Sequence, residues 1–194
     1  LDANTERREL LLGQRPPRFD SSFDEAIALT GDDFERVALK AESARDYFLL
    51  VGPPGTGKTS RALRRMVEHF YAASSMQILL LAYTNRAVDE ICQSLSSITP
   101  CIDYIRVGSE LSCDVRFRGH LLENILAECN SRREVNIRMA DCRVYVGTVA
   151  SIAAKAELFK LKRFDVAIVD EATQILEPQL LGILCAKFAD ERNA

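Results

Sequence analysis

Residues 52–60, GPPGTGKTS, constrain the fold of this chain more than any other stretch. They match the pattern G-x-x-x-x-G-K-[ST], and they follow directly after the apolar run YFLLV at 47–51. Glycines permit positive φ and a close approach to the backbone, while adjacent prolines stiffen the entry to the loop. The pattern therefore predicts a tight loop between a strand and a helix, with inward N–H groups that form an anion cradle.

We expect this loop to bind the phosphates of a nucleoside triphosphate. Lys58 is predicted to reach the β- and γ-phosphates, and the Thr59 hydroxyl is predicted to ligate Mg²⁺. The alternative is a glycine-rich turn that binds nothing. The predicted cradle residues are Gly52, Pro53, Pro54, Gly55, Thr56, Gly57, Lys58, Thr59 and Ser60.

Short apolar runs rich in β-branched and aromatic residues alternate with helical patterns along the rest of the chain. A helix predicted over Asp32 to Ala44 precedes the loop, with Asp32 or Asp33 as its cap. Continuous apolar strands separated by amphipathic helices are typical of a parallel sheet covered on both faces, so the fold class is α/β. The predicted strands are YFLLV (47–51), ILLLAY (78–83), VYVGT (144–148), VAIVD (166–170) and, as a weaker fifth, YIRVG (104–108).

Two carboxylates end the last of these strands. In open α/β sheets ligands bind at the carboxyl ends of the strands, where VAIVDEATQ places Asp170. We predict that Asp170 holds the Mg²⁺ shell and that Glu171 orients or deprotonates the attacking water. The alternative is a pair of surface carboxylates that closes a strand. Gln174 either turns back toward the γ-phosphate or the water, or belongs to the start of a helix containing Glu177 and Pro178, and both can hold together.

Composition limits the class of protein without choosing a function. With 194 residues, 47% of them apolar, the chain can bury one core, and its net charge of −3 restricts any nucleic-acid contact to local patches. The spacing of the six cysteines does not resemble a metal site, and we interpret them as reduced core residues. No apolar run has the length of a membrane span, and the first residues lack the apolar centre of a signal peptide. We therefore expect an intracellular protein, cytoplasmic or nuclear, with the cytoplasm as the default. The initial Leu suggests a piece of a longer protein.

Four stretches in this order, GPPGTGKTS, LAYTNRAVDEI, VGTVAS and VDEATQILEP, resemble motifs I, Ia, Ic and II of superfamily-one helicases. The DEATQ and TNRAVD forms resemble the branch that contains the nonsense-mediated-decay RNA helicase and the Okazaki-fragment nuclease-helicase. The resemblance covers residues 29–182 or so and implies a P-loop NTPase domain of the RecA-like type, at residues 31–194. Residues 1–30 would be a preamble and linker, and residues 108–142 or so a helical insertion.

The resemblance implies ATP and Mg²⁺ as cofactors, a single strand of DNA or RNA as partner, and 5′-to-3′ stepping driven by a second RecA-like domain. It assigns Lys58, Glu171 and Gln174 to catalysis. It also assigns nucleic-acid contacts to Thr84, Asn85, Thr148 and Ser151, whose short polar side chains suit phosphate oxygens. Asn85 and Ser151 can equally well cap the helices that follow.

Six arginines form a modest basic cluster around the predicted insertion. They either track a nucleic-acid strand or form a solvated face with interspersed acidic residues. These arginines are Arg116, Arg118, Arg132, Arg133, Arg138 and Arg143.

The sequence departs from the family pattern in two places. No Gln lies between Gln14 and Gln77, where the family reads adenine, so a looser choice among nucleoside triphosphates is expected. Motif III and the later motifs do not follow residue 182, and the arginine finger of the second domain contributes about 10³–10⁵ in rate where it is used. We therefore expect this piece to bind nucleotide but to hydrolyse it weakly.

Motif III lies on a strand between the loop strand and the Asp-Glu strand in RecA-like sheets. Its absence predicts a gap in the sheet. Either another segment or self-association of a second copy fills this gap, or the residues missing from the longer protein are needed for a stable fold. Direct pairing of the loop strand with the Asp-Glu strand would contradict this strand order.

Two classes of function remain open. One is the nucleotide-binding half of a helicase, and the other is a non-motor nucleotide switch or a phosphotransferase. The ordered motif set favours the helicase.

Overall fold

A computed structural model of the chain describes residues 5–53, 55–72 and 75–187. Pro54, one of the predicted cradle residues, lies outside these ranges. The chain divides into two compact units, Leu1–His69 and Phe70–Ala194. The domain and insertion boundaries expected from the sequence stay predictions.

The first unit is helical. Its described elements are α1 (Thr5–Leu11), a 3₁₀ turn (Ser21–Phe23), α2 (Asp24–Leu29), α3 (Asp33–Ser43), a π-helical segment (Lys58–Leu63) and the start of α4 (Arg64–Ala72). Helix α3 begins where the sequence predicts, because the Asp32 carboxylate accepts the N–H of Phe34 at 2.7 Å and so satisfies a free donor of the first turn.

Residues before α2 are tied to the segment that follows α3. The Arg18 guanidinium makes two hydrogen bonds to the Asp46 carboxylate, of 3.1 and 2.9 Å, and the Arg18 N–H adds a third of 2.9 Å. These contacts hold the pKa of Asp46 below its usual value. The segment that enters the GPPGTGKTS loop is therefore anchored at Asp46.

The predicted strand YFLLV at 47–51 is wrong. No strand is present at these residues, and the side chains of Leu49 and Val51 are 74% and 92% exposed. A strand exists only where neighbouring strands take up its N–H and C=O groups. Within the described residues no strand pairs with this run, so its apolar composition alone does not make it β-structure.

The second unit contains a parallel sheet of four strands in the order β2-β3-β1-β4. The strands are β1 (Ile78–Ala82), β2 (Tyr104–Val107), β3 (Val144–Thr148) and β4 (Val166–Val169). In register, Ala82 of β1 lies opposite Thr148 of β3, and Leu81 lies opposite Val169 of β4. The sheet confirms the other four predicted strands and the α/β fold class.

Helices cover both faces of this sheet. Alternate strand residues, Leu79, Leu81, Ile105, Val107 and Tyr145, belong to one apolar core with residues of α6 to α10. The opposite face carries Arg106, whose guanidinium pairs with Asp89 of α5. The helices of this unit are α5 (Asn85–Ser96), α6 (Leu122–Ala127), α7 (Arg132–Asp141), α8 (Val149–Ala153), α9 (Leu158–Leu161) and α10 (Glu177–Lys187), with 3₁₀ turns at Glu110–Ser112, Val115–His120 and Ala172–Gln174.

Strand β4 differs from its neighbours in burial. Strands β1, β2 and β3 are buried at every position, whereas all four residues of Val166–Val169 are only partly buried. Among the described residues no strand pairs with the outer edge of β4. The expected gap beside the Asp-Glu strand, and what would fill it, stay predictions.

Arg106 and Asp89 attach the residues after β2 to helix α5. Arg106 is 1% exposed, and it donates to Asp89 and, at 3.3 Å, to the carbonyl oxygen of Ser112. The Asp89 carboxylate also faces the N–H of Asp114 at 3.4 Å. A buried guanidinium without such partners would be costly, so the pair fixes where the predicted insertion leaves the sheet.

Lys162 closes the carboxyl end of α7. Its buried ammonium donates to the carbonyl oxygens of Met139, Ala140 and Cys142 at 3.0, 2.8 and 2.7 Å. Burial lowers the pKa of this lysine. The contact satisfies carbonyls that a helix end leaves without intrahelical donors.

The cysteines whose side chains are described are free thiols. Cys92, Cys113 and Cys142 are buried, but Cys101 is exposed, so the interpretation of all cysteines as core residues is wrong for Cys101. The side chain of Cys185 lies outside the described residues. Within the described ranges, no helix is long and apolar enough to cross a membrane.

Candidate nucleotide-binding site

The backbone of the GPPGTGKTS loop has the conformation that its glycines predict. Gly55 and Gly57 have φ of 78° and 82°, which residues with a side chain rarely adopt. Directly after Gly57 the chain enters the π-helical segment, and the N–H groups of Arg61 and Ala62 both donate to the Gly57 carbonyl oxygen, at 2.9 and 3.0 Å. The loop therefore passes into a helix through Gly57.

Lys58 folds over its own loop. Its ammonium donates to the carbonyl oxygen of Gly52 and, at 2.8 Å, to that of Pro53, which also accepts the Thr56 hydroxyl at 2.8 Å. In the described part of the loop, the lysine charge is thus held by neutral carbonyl dipoles. A bound phosphate could replace these carbonyl oxygens as the acceptor. Because phosphate is charged, its hydrogen bond to the ammonium would be stronger.

The interior of the loop is closely packed around Gly52. A Cβ at Gly52 would lie 3.1 Å from Thr56 Oγ1 and 3.6 Å from Lys58 Cδ, so a side chain would compete with both residues for the loop interior. The glycine backbone, the lysine charge and the Thr59 hydroxyl fit the phosphates and the Mg²⁺ ion of a nucleotide. Among the described residues no cluster of three acidic, histidine or cysteine side chains can hold a metal by itself, so phosphates and water would complete the Mg²⁺ shell.

The Asp-Glu pair lies at the carboxyl end of β4, as predicted. The N–H of Asp170 donates to the Leu81 carbonyl oxygen at 2.8 Å, which extends the pairing of β4 with β1 by one residue. The N–H of Glu171 donates to Asp170 Oδ1 at 3.0 Å. Glu171 itself has φ of 50° and is the only non-glycine residue with positive φ in the described chain. Strain of this kind, about 1–3 kcal/mol, is typical of functional sites.

Gln174 contacts Glu171 directly. Its side-chain amide donates to Glu171 Oε2 at 2.7 Å, and its backbone N–H donates to the Glu171 carbonyl oxygen at 2.9 Å. Gln174 ends a 3₁₀ turn, and the following helix begins only at Glu177. The alternative that Gln174 begins this helix is therefore wrong. The amide therefore orients the carboxylate that we predict to act on water.

The predicted nucleic-acid residues of the second unit lie at the same edge of the sheet. Thr84 and Asn85 follow β1 by two and three residues, Thr148 ends β3, and the register of these strands brings their carboxyl ends together. Thr84 and Asn85 are exposed. The Thr84 hydroxyl accepts the Ala87 N–H at 3.1 Å, so Thr84 rather than Asn85 caps α5, and the side chain of Asn85 is left for other contacts.

Thr148 and Ser151 are engaged with each other. Thr148, a buried residue, caps α8 by accepting the Ser151 N–H at 3.0 Å, and the two hydroxyls lie 3.0 Å apart. The Ser151 hydroxyl also donates to the Val107 carbonyl oxygen at 2.9 Å. The helix cap is thus Thr148 and not Ser151, and both hydroxyls have structural partners that a phosphate contact would have to share.

The basic cluster is largely paired within the protein. Arg116 contacts Asp114, Arg118 contacts Glu110 at 2.8 Å, and Arg138 lies 3.5 Å from Asp103. The Arg143 guanidinium stacks on the Tyr71 ring, 3.7 Å from its centroid. These contacts favour the solvated, ion-paired face over a continuous track for a nucleic-acid strand.

A cavity of about 170 Å³ in the first unit was not predicted from the sequence. Its lining residues are Asp32, Phe34, Arg61, Arg64 and Arg65. The signal available was the spacing of three arginines at i, i+3 and i+4 directly after the GKTS loop, which places them on one face of a helix.

The parallel sheet with helices on both faces, the glycine loop that enters a helix, and the Asp-Glu pair after β4 define a P-loop α/β domain of the RecA-like type. A family described as "AAA domain" matches residues 35–191. The chain belongs to this family, and it is a relative of the superfamily-one helicases.

Similar curated proteins carry the same assignment in their names. The chain is 32% identical over 187 residues to the DNA replication ATP-dependent helicase/nuclease JHS1 of Arabidopsis thaliana, covering 91% of this chain and 13% of the relative. It is 33% identical over 151 residues to the DNA replication ATP-dependent helicase/nuclease DNA2 of Xenopus laevis, covering 76% and 13%. It is 28% identical over 211 residues to the putative ATP-dependent RNA helicase ECM32 of Saccharomyces cerevisiae, covering 89% and 18%. The chain therefore spans less than a fifth of the length of these relatives.

Proposed function

We propose that this chain is the ATP-binding half of an ATP-dependent helicase or translocase that acts on single-stranded nucleic acid. The observation that carries the proposal is the loop, with positive φ at two glycines and the Lys58 ammonium held over carbonyl oxygens that a phosphate can replace. The names of the relatives, which are ATP-dependent DNA and RNA helicases, support the same reading.

The proposed roles follow from the chemistry of each group. Lys58 and the loop N–H groups bind the β- and γ-phosphates, and Thr59 and Asp170 complete the Mg²⁺ coordination. Bound Mg²⁺ would neutralise charge on the phosphates. Glu171 accepts a proton from the attacking water, and Gln174 keeps the Glu171 carboxylate oriented.

The remaining parts of the proposal concern partners. Asn85 and Thr84 are proposed to bind phosphates of a single strand of DNA or RNA, together with Thr148 and Ser151. A second RecA-like domain is proposed to supply the arginine finger and to drive 5′-to-3′ stepping. Without that domain the chain binds ATP with Mg²⁺ and hydrolyses it slowly, and its exposed β4 edge is open to self-association. We place the activity inside the cell.

The test compares the full-length protein with its Lys58→Ala variant. We measure ATP affinity, and ATP turnover with and without single-stranded DNA or RNA. We expect Lys58→Ala to abolish turnover and weaken ATP binding by about tenfold or more, since a charge-assisted phosphate contact contributes at least 1.5 kcal/mol or so. The control is Lys40→Ala, an exposed lysine of α3, which should change neither.

Unchanged affinity and turnover in Lys58→Ala would refute the nucleotide site. A second outcome would reject the helicase alone: Lys58→Ala abolishes ATP turnover, but single-stranded DNA or RNA does not change the turnover of the unaltered protein. The protein would then be the non-motor alternative, a nucleotide switch or a phosphotransferase.

A further inference from the structure

The cavity of about 170 Å³ lies between the start of α3 and the first turns after the GPPGTGKTS loop. Sites for drug-sized ligands have volumes of about 300–1,000 Å³, so this cavity suits a single ring system rather than a whole nucleotide. Its walls combine guanidinium donors, one carboxylate and one aromatic ring. The hydrogen-bonding groups of these residues decide which ring the cavity binds.

Arg61 connects the cavity to the loop. A Cβ on Gly57, the last loop glycine, would lie 3.2 Å from Arg61 Cδ, so the Arg61 side chain runs past that glycine. Its guanidinium then lies over the Phe34 ring, 4.1 Å from the ring centroid. A ring in the cavity can therefore belong to a molecule whose phosphates lie in the loop.

Arg61 also differs from the other two arginines of the cavity. Arg65 pairs with Glu35 at 2.6 Å and with Glu68 at 2.9 Å, and Arg64 lies 3.6 Å from Glu68. In the described part of the chain the Arg61 guanidinium makes no hydrogen bond or ion pair, although it stacks on Phe34. Arg61 therefore holds planar, parallel donors that are available to a ligand.

Asp32 supplies the acceptor. Its Oδ1 accepts the N–H groups of Phe34 and Glu35, at 2.7 and 3.3 Å, and these bonds lower the pKa of the carboxyl. The group is thus an ionised, acceptor-only carboxylate. A carboxylate that only accepts hydrogen bonds suits a ring that carries N–H groups.

Parallel guanidinium donors match the O6 and N7 acceptors of guanine, which is the commonest specific partner of arginine among the bases. A carboxylate acceptor matches the N–H groups on the other edge of guanine. Adenine offers one donor and one acceptor side by side, which an amide reads, and no amide side chain lines the cavity. Guanidinium planes also stack on bases.

We infer that this cavity receives the base of the nucleotide and that Arg61 determines base selectivity, so that guanine nucleotides bind at least about as well as adenine nucleotides. The inference rests on the proposed nucleotide site at Lys58. It makes Arg61, with Asp32 in the same cavity lining, the residue that sets the choice of nucleoside triphosphate.

The test measures the dissociation constants of ATP and GTP, with Mg²⁺, for the full-length protein and for its Arg61→Gln variant. A bidentate base contact discriminates by roughly five- to 150-fold. In the unaltered protein we expect a Kd for GTP below, or within about threefold of, that for ATP. Arg61→Gln, which replaces two donors with one donor and one acceptor, should shift the ratio toward ATP by about fivefold or more.

Lys40→Gln is the matched control, because it removes one positive charge from an exposed position of α3 and should leave the ratio unchanged. A preference for ATP beyond about threefold in the unaltered protein would overturn the inference, as would an unchanged ratio in Arg61→Gln. If neither nucleotide binds and Lys58→Ala has no effect, the proposed function itself fails. ATP binding that depends on Lys58 but excludes GTP rejects the base selectivity alone.

Discussion

The side-chain amide of Gln174 donates a 2.7 Å hydrogen bond to Oε2 of Glu171, three residues before it. Glu171 adopts left-handed backbone geometry that is unfavourable for a residue with a side chain. The backbone strain and the amide together place one carboxylate in one orientation at the end of β4.

Gln174→Leu tests whether this orientation serves catalysis. We expect kcat for ATP to fall about ten- to hundredfold with KM nearly unchanged, because the amide positions the base without contacting the nucleotide. Glu171→Gln should cost more, about 10²–10⁴ in kcat. Gln179→Leu, an exposed glutamine of α10, is the control. An equal fall in kcat for Gln179→Leu, or none for Gln174→Leu, would reject the positioning role.

Asn85 and Thr148 should separate nucleic-acid binding from helix capping. Thr148→Ala removes the cap of α8 and is expected to lower the free energy of unfolding by about 1 kcal/mol. Asn85→Ala should leave stability within about 0.5 kcal/mol, since Thr84 holds the cap, but should weaken binding of single-stranded DNA or RNA. Urea unfolding and fluorescence anisotropy measure the two effects. The same loss of binding in Gln93→Ala, an exposed change on α5, would argue against a contact at Asn85.

Gly147 should be intolerant of any side chain. A Cβ there would lie 2.8 Å from the Val107 carbonyl oxygen and 3.1 Å from Ser151 Oγ, so Gly147→Ala forces backbone movement within β3. We expect a loss of about 1–3 kcal/mol in urea unfolding. Gly182→Ala meets no atom within 4 Å inside helix α10 and should be neutral or stabilising by about 0.5–1 kcal/mol. Similar effects of the two changes would contradict the packing around Gly147.

Buried thiols should make the protein less stable in alkali. Burial raises the pKa of Cys92 from 9.0 to about 12 and that of Cys142 to about 11. Between the unfolded and folded pKa values only the unfolded state loses the proton, so stability is complete below pH 9 or so and falls as the pH rises. Each of the two thiols should lower the free energy of unfolding by ~1 kcal/mol at pH 10 relative to pH 7.

The measurement is urea unfolding at both pH values, in which Cys92→Ala should lose part of the alkaline decrease. Native thiol labelling at pH 8 provides a second readout, with exposed Cys101 modified and Cys92 and Cys142 protected. Labelling of Cys92 at the rate of Cys101 would show that its burial is wrong.

The run 47–51 shows where sequence patterns fail. Its composition is as typical of a strand as that of Ile78–Ala82, yet only the latter lies in the sheet. The four confirmed strands have neighbours that satisfy their backbone groups, and the run 47–51 has none in the described chain. Strand pairing depends on two segments, whereas the composition of a run describes only one of them.

The cavity at Arg61 and the Lys162 contact show a second limit. Both join residues that are separated in sequence, Phe34 with Arg61 and Lys162 with the end of α7. A single arginine or lysine in a sequence is most simply read as a solvated charge. Nothing in the spacing of Lys162 indicates that three carbonyl oxygens surround it.

The sequence by itself determined the local features of this protein: the glycine loop, a helix start capped at Asp32 or Asp33, four strands and the Asp-Glu pair. Each follows from the conformational limits of glycine and proline, or from the periodicity of apolar side chains over a few residues. Only the tertiary structure decided that 47–51 is not a strand, that Thr148 and Ser151 bond to each other, and that Arg61 stacks on Phe34. These depend on which distant groups meet, because hydrogen bonds and packing are satisfied between segments and not within them.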